Sequence, residues 1–91
     1  MHKIPQQNLS STVCARERLA LNLKKWRAFH GLSQHALAIE ADLHHTFVAH
    51  LERGARNPSL DNIEKLAVAL KIDIVELLRD PRSKAYPEGA A

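Results

Sequence analysis

The sequence predicts an all-α domain of five helices in which the second and third form a helix-turn-helix. Three observations carry this. The stretch Ser33 to Gly54, SQHALAIEADLHHTFVAHLERG, divides into two short amphipathic helices joined by a tight corner. Apolar residues on either side recur at helical spacing, as Leu19, Leu23 and Trp26 before it and Ile63, Leu66 and Leu70 after it. Ninety-one residues with 45% hydrophobic content suffice for one helical core and no more.

Residues 1 to 12 mix Pro5 with glutamines and show no periodicity, so they are expected to form a loosely held arm. Ser10, Ser11 and Thr12 offer N-cap oxygens to a first helix from about Val13 to His30. Gly31 stops that helix as a left-handed cap, and Ser33 caps the second. The corner is Ala41-Asp42-Leu43. Aspartate is among the few residues other than glycine that tolerate positive φ there, and Leu43 plugs the corner from inside.

On the third helix, at about 100° per residue from His45, the side chains of Ala49, Arg53, Thr46 and His50 fall in that order around one small, polar and partly cationic face. Phe47, Leu51 and Val48 fall on the opposite side, which is therefore apolar and expected to be buried. The loop Ala55 to Ser59, ARNPS, carries two polar donors, Arg56 and Asn57, and ends in Ser59 as the cap of a fourth helix. The expected buried stripe of that helix is Leu60, Ile63, Leu66, Ala67 and Leu70. Asp73 and Glu76 resemble a capping box for a short fifth helix, Ile74 to about Arg79, which Pro81 ends. The domain is thus expected over residues 13 to 80, with 81 to 91 as a flexible tail.

Net charge is +3 and unevenly spread. Residues 1 to 32 carry six Lys and Arg against the single Glu17, whereas residues 33 to 80 carry five against eight Asp and Glu. Such a split suggests one surface for an anionic partner and another facing away from it. No apolar run approaches the roughly 20 residues needed to span a bilayer. The opening MHKIPQQNLSST lacks the apolar stretch of a signal peptide, so a reducing, cytoplasmic setting is expected. A lone Cys14 excludes an internal disulfide and has no partner spacing of a nucleophile. Six histidines raise the question of a metal, but His44, His45 and His50 lack the i, i+4 spacing of helical ligands. No metal, no cofactor and no enzymatic activity are expected.

With these residues in place, the chain resembles the Cro/repressor-like (XRE) helix-turn-helix domains of lambdoid phage repressors, restriction-modification controllers and many small bacterial regulators. The resemblance covers about Leu19 to Leu78. It rests on Arg27, GLSQ at Gly31 to Gln34, Leu37-Ala38, LERG at Leu51 to Gly54, NPSLDNI at Asn57 to Ile63 and KLAVAL at Lys65 to Leu70. It implies a five-helix, lambda-repressor-like fold with the third helix in the DNA major groove. It also implies phosphate contacts from Gln34 and the loop after the third helix, an Arg27 to Glu52 pair, and homodimers on a palindromic operator. The chain departs from the pattern at His35-Ala36, which removes a capping box, at Asp42, where glycine is usual, and at His44, where serine or threonine is usual.

Given that fold, His45, Thr46, Ala49 and His50 are the expected base contacts, since only the exposed face of a groove-lying helix reaches base edges. Ser33, Gln34, Arg53, Arg56 and Asn57 form the expected phosphate set, with Arg53 also placed to enter the groove. Val68 lies off the buried stripe of the fourth helix, so Val68, Ile72, Val75 and Leu78 are the expected dimer contact. The function so implied is a sequence-specific DNA-binding transcriptional regulator, with double-stranded DNA and a second copy of the chain as partners and no membrane. The alternative is an antitoxin-like adaptor that grips a protein partner. Its tail would need apolar anchors, and RSKAYPEGAA supplies only Tyr86 with little else.

Overall fold

Leu19, Leu23 and Trp26 lie on one side of the longest helix, α1 (Ala15–Phe29), and are 5% exposed or less, so the i, i+4, i+7 stripe faces the core. The computed structural model describes residues 13–82; Ser10, Ser11, Thr12, the rest of the expected arm and the tail beyond 82 lie outside the described residues. Four more helices follow among those described: α2 (Gln34–Ala41), α3 (His45–Glu52), α4 (Leu60–Leu70) and α5 (Val75–Leu78). No strand occurs among them. α1 packs on α3 and α5, α2 on α3 and α4, and α5 on α4. Leu23, Leu37, Val48, Leu51, Leu66, Leu70 and Leu77 are wholly enclosed where these helices meet. Trimming any one of these leucines to alanine costs on the order of 2–5 kcal/mol, because a close-packed core refills the space only in part.

The first four helices end the same way. Leu32, Leu43, Ala55 and Ile72 donate their backbone N–H to the carbonyls of Arg27, Ala38, His50 and Ala67, each five residues back, around Gly31, Asp42, Gly54 and Lys71 at positive φ. This Schellman closure satisfies carbonyls that a helix end leaves open, and it tucks the next residue inward if that residue is apolar. Leu32, Leu43 and Ile72 do pack against the core. Gly31, Gly54 and Asp42 are residue types that reach the left-handed region readily, whereas Lys71, at φ 59°, bears the Cβ clash.

Five expectations are corrected. α1 begins at Ala15, and its N-cap Cys14 makes no side-chain cap bond; Arg18 instead turns its Nε back to the Val13 carbonyl at 2.8 Å. Leu60 is 70% exposed and does not belong to the stripe of α4. It is the first residue of the helix and lies to one side of the line through Ile63, Leu66, Ala67 and Leu70. Asp73 does cap α5, accepting from the Val75 N–H at 2.9 Å, but Glu76 does not reach back. It accepts two bonds from Arg79, each 2.8 Å, and so forms half a capping box. α5 ends at Leu78 with Arg79 already extended, ahead of Asp80 and Pro81. Finally, Phe47 is half-buried rather than enclosed, with the Arg56 guanidinium 5.4 Å above its ring.

Candidate nucleic-acid interface

α3 is held from behind and open in front. Val48, Leu51 and Glu52 are buried, while His45, Thr46 and Arg53 are exposed and Ala49 and His50 half-buried. The start of α3 is capped by a ring: the Thr46 N–H donates to His44 Nδ1 at 3.1 Å. An imidazole nitrogen thus does the work of the usual hydroxyl, and accepting there requires that Nδ1 carry no proton. Ser33 caps α2 in the ordinary way, accepting from the Ala36 N–H at 2.9 Å, so the cap survives without its box.

The two helices are locked to α1 by one carboxylate. Arg27 donates Nε to Glu52 Oε2 at 2.6 Å and Nη2 to Oε1 at 2.9 Å, and Gln34 Nε2 donates to the same Oε1 at 2.9 Å. The third guanidinium arm, Nη1, donates to the Leu32 carbonyl at 2.8 Å. Glu52 is 5% exposed, and its hydrogen bond holds the Arg27 guanidinium still more firmly protonated than usual. A planar fork on a planar carboxylate fixes orientation as well as distance, so α1, the start of α2 and the end of α3 share one register. Gln34 therefore faces inward with one of its amide hydrogens.

Arg53, Arg56 and Asn57 are exposed at the C-terminal end of α3 and in the loop after it. Arg56 folds back over α3: besides covering Phe47, its Nη1 lies 3.5 Å from His50 Nδ1, a long contact that brings an expected phosphate residue against an expected base reader. At the start of the helix the His45 ring meets two others, His44 at 4.7 Å between centroids and His35 of α2 at 5.0 Å. Neither His35 nor His44 is in the expected set. Only ring type at 35, 44 and 45 hinted at them, since distance across the corner is not legible from spacing within one helix.

Of the expected dimer residues, Val68 and Val75 are 69% and 56% exposed. Ile72 and Leu78 are half-buried against the chain's own core, Ile72 because it closes the Schellman turn of α4. Leu60 and Ile74, unremarked from the sequence as contact residues, border one open groove with Val75 and Leu78. No group of three His, Cys, Asp or Glu among the described residues is arranged to hold a metal ion. No helix among them is long and apolar enough to cross a membrane.

A helix-turn-helix family profile matches residues 23–77. Over 47 residues the chain is 53% identical to the control protein C.BamHI of Bacillus amyloliquefaciens, covering 52% of this chain and 58% of that protein. Over 66 residues it is 39% identical to a hypothetical transcription factor of Neisseria meningitidis, covering 72% of this chain and 62% of the relative. The chain thus spans about three-fifths of the length of these relatives. Its fold is similar to the crystal structure of the restriction-modification controller protein C.AhdI from Aeromonas hydrophila, with a TM-score of 0.66 and 44% identity over 68% of this chain and 94% of that one. The Neisseria factor's crystal structure is similar at a TM-score of 0.73 and 40% identity, covering 75% and 76%. The profile runs from midway along α1 through the capped corner, α3 and α4 into α5, and the chain belongs to the XRE-type helix-turn-helix family of DNA-binding transcription regulators.

Proposed function

We propose that the protein is a transcription regulator of the restriction-modification controller kind, acting in the cytoplasm as a homodimer on a palindromic operator. α3 lies in the major groove, His45, Thr46, Ala49 and His50 face base edges, and Ser33, Gln34, Arg53, Arg56 and Asn57 hold backbone phosphates. The observation that carries this reading is the two-sidedness of α3: Val48, Leu51 and the Arg27-clasped Glu52 anchor its back, leaving a polar front without an ion pair among the described residues. A rigid helix with a free polar face fits a groove about 12 Å wide. The basic surplus between Met1 and Leu32 supports the same partner, since duplex phosphates reward any cation that displaces counterions.

A gel shift with DNA from upstream of the protein's own gene tests the proposal. A discrete complex that resists excess mixed-sequence duplex and weakens steeply with salt is expected. Binding no tighter than to mixed-sequence DNA would overturn it.

A further inference from the structure

His45 stands in contact with two other rings. Its ring lies nearly parallel to His44, 22° between planes at 4.7 Å, and tilted by 36° against His35 at 5.0 Å. The three rings come from three differently held positions. His44 is fixed by its cap bond to Thr46, His45 opens α3, and His35 stands in the first turn of α2. All three are exposed, and none forms an ion pair among the described residues. Their contact is therefore ring on ring at the surface, where burial of a core cannot be its reason.

We infer that His35 and His44 are positioning residues that set sequence preference by holding the His45 ring between α2 and α3, a role that rests on the groove-reading function proposed for α3. A long side chain at the mouth of a groove samples several rotamers, and each rotamer presents a different edge to a base pair. Aromatic surfaces pack with centroids about 4.5–7 Å apart in offset or tilted arrangements, and both contacts here fall in that range. His44 is tethered where Nδ1 accepts the Thr46 N–H, so it serves as the plate. His35 brings α2 into the same layer, and a ring pinned by two helices enters the groove in one orientation. Specificity then depends on residues that touch no base.

The test measures preference and not only affinity. A duplex is selected from a randomised library with wild type, and each base pair is then varied singly while binding is followed by fluorescence anisotropy. His35→Ala is expected to lower discrimination at one base-pair position about tenfold and leave the others unchanged. His35→Phe, which keeps a stacking ring without the imidazole nitrogens, is expected to restore it. His44→Ser supplies an N-cap oxygen in place of the imidazole nitrogen while removing the plate, and is expected to relax the same position. Thermal melts and salt slopes of all three should match wild type. Unchanged discrimination in His35→Ala overturns the inference, as does loss in His35→Phe equal to that in His35→Ala, since the nitrogens would then act directly. A wild type that selects no sequence overturns the groove-reading proposal itself, and this inference with it.

Discussion

Asn22, wholly enclosed on α1, donates its side-chain amide to the backbone carbonyl of Arg79 at 2.8 Å and to that of Leu77 at 3.0 Å. Arg18, one turn earlier, donates Nη1 to the carbonyl of Leu78 at 3.1 Å. Three consecutive carbonyls at the end of α5 are thus satisfied by α1, and a helix of four residues keeps its place without a C-cap of its own. Asn22→Ala would leave buried carbonyls unpaired, at about 1–3 kcal/mol. For a domain of this size the expected fall in Tm is on the order of 10 °C. Thermal denaturation followed by circular dichroism checks this, and a melt within a degree or two of wild type would show that water replaces the amide.

Glu52→Ala removes three bonds at once, two from Arg27 and one from Gln34. Losing one member of a buried pair costs about 3–5 kcal/mol, and the 21% exposure of the Arg27 side chain favours the lower end. Glu52→Gln keeps an acceptor for one donor and should cost less. Urea titrations of both variants decide, and equal midpoints would mean that the retained acceptor contributes nothing and the carboxylate charge carries the clasp.

Much of this frame was legible. Gly31, Gly54 and Asp42 are residue types that announce a left-handed helix end, and the α3 wheel separated buried Val48 and Leu51 from exposed His45 and Thr46. Lys71 announced nothing, because lysine has no local preference for that conformation; only the apolar Ile72 after it could have pointed to the turn. Asn22 sat in view as a polar residue three positions after Leu19, on the core side of α1. Its partners lie 55 and 57 residues away, beyond the reach of any periodicity. Leu60 misled because hydrophobicity at helical spacing says nothing about where the opposing helix stops. At the candidate interface the wheel shows faces within a helix, whereas the His35 to His45 contact and the inward turn of Gln34 depend on how two helices cross.

Lys71→Gly is expected to raise stability by up to about 1 kcal/mol. Relief of the Cβ clash at φ 59° outweighs the greater freedom glycine gives the unfolded chain. Lys71 is exposed and makes no ion pair among the described residues, so little else is lost. A lower chemical midpoint than wild type would contradict this.

Acid should weaken the end of the fold through Glu76. The hydrogen bonds from Arg79 hold its carboxyl below the usual range, against burial and the nearby Asp73, which push it up. A carboxyl lowered on folding stabilises fully above its unfolded value, and that stability is lost as pH falls through the folded value. The expected window therefore lies below about pH 4.3. Glu76→Gln should flatten the acid limb of stability against pH while changing neutral stability by under about 1 kcal/mol. Parallel curves for variant and wild type would exclude the pair as the cause.

The proposed homodimer is expected to form through α5. Val75 and Leu60 are 56% and 70% exposed around one groove, and Val68 adds a third large apolar side chain at 69%. One helix-turn-helix contacts too few base pairs to single out a genomic site, whereas a two-fold pair places two α3 helices about 34 Å apart, one turn of the duplex. Covering the apolar faces of α4 and α5 with a second copy meets both needs. Val75→Asp isolates the contact from the fold, because an exposed acid at the first residue of α5 faces the positive end of the helix and removes nothing from the core. The variant should melt as wild type does at a concentration low enough for both to be monomers, sediment as a monomer at concentrations where wild type is a dimer, and lose operator affinity at least tenfold. Leu60→Ser should weaken the same equilibrium if the groove lies within the interface. A wild type that remains monomeric at high micromolar concentration, with or without its operator, would refute the dimer.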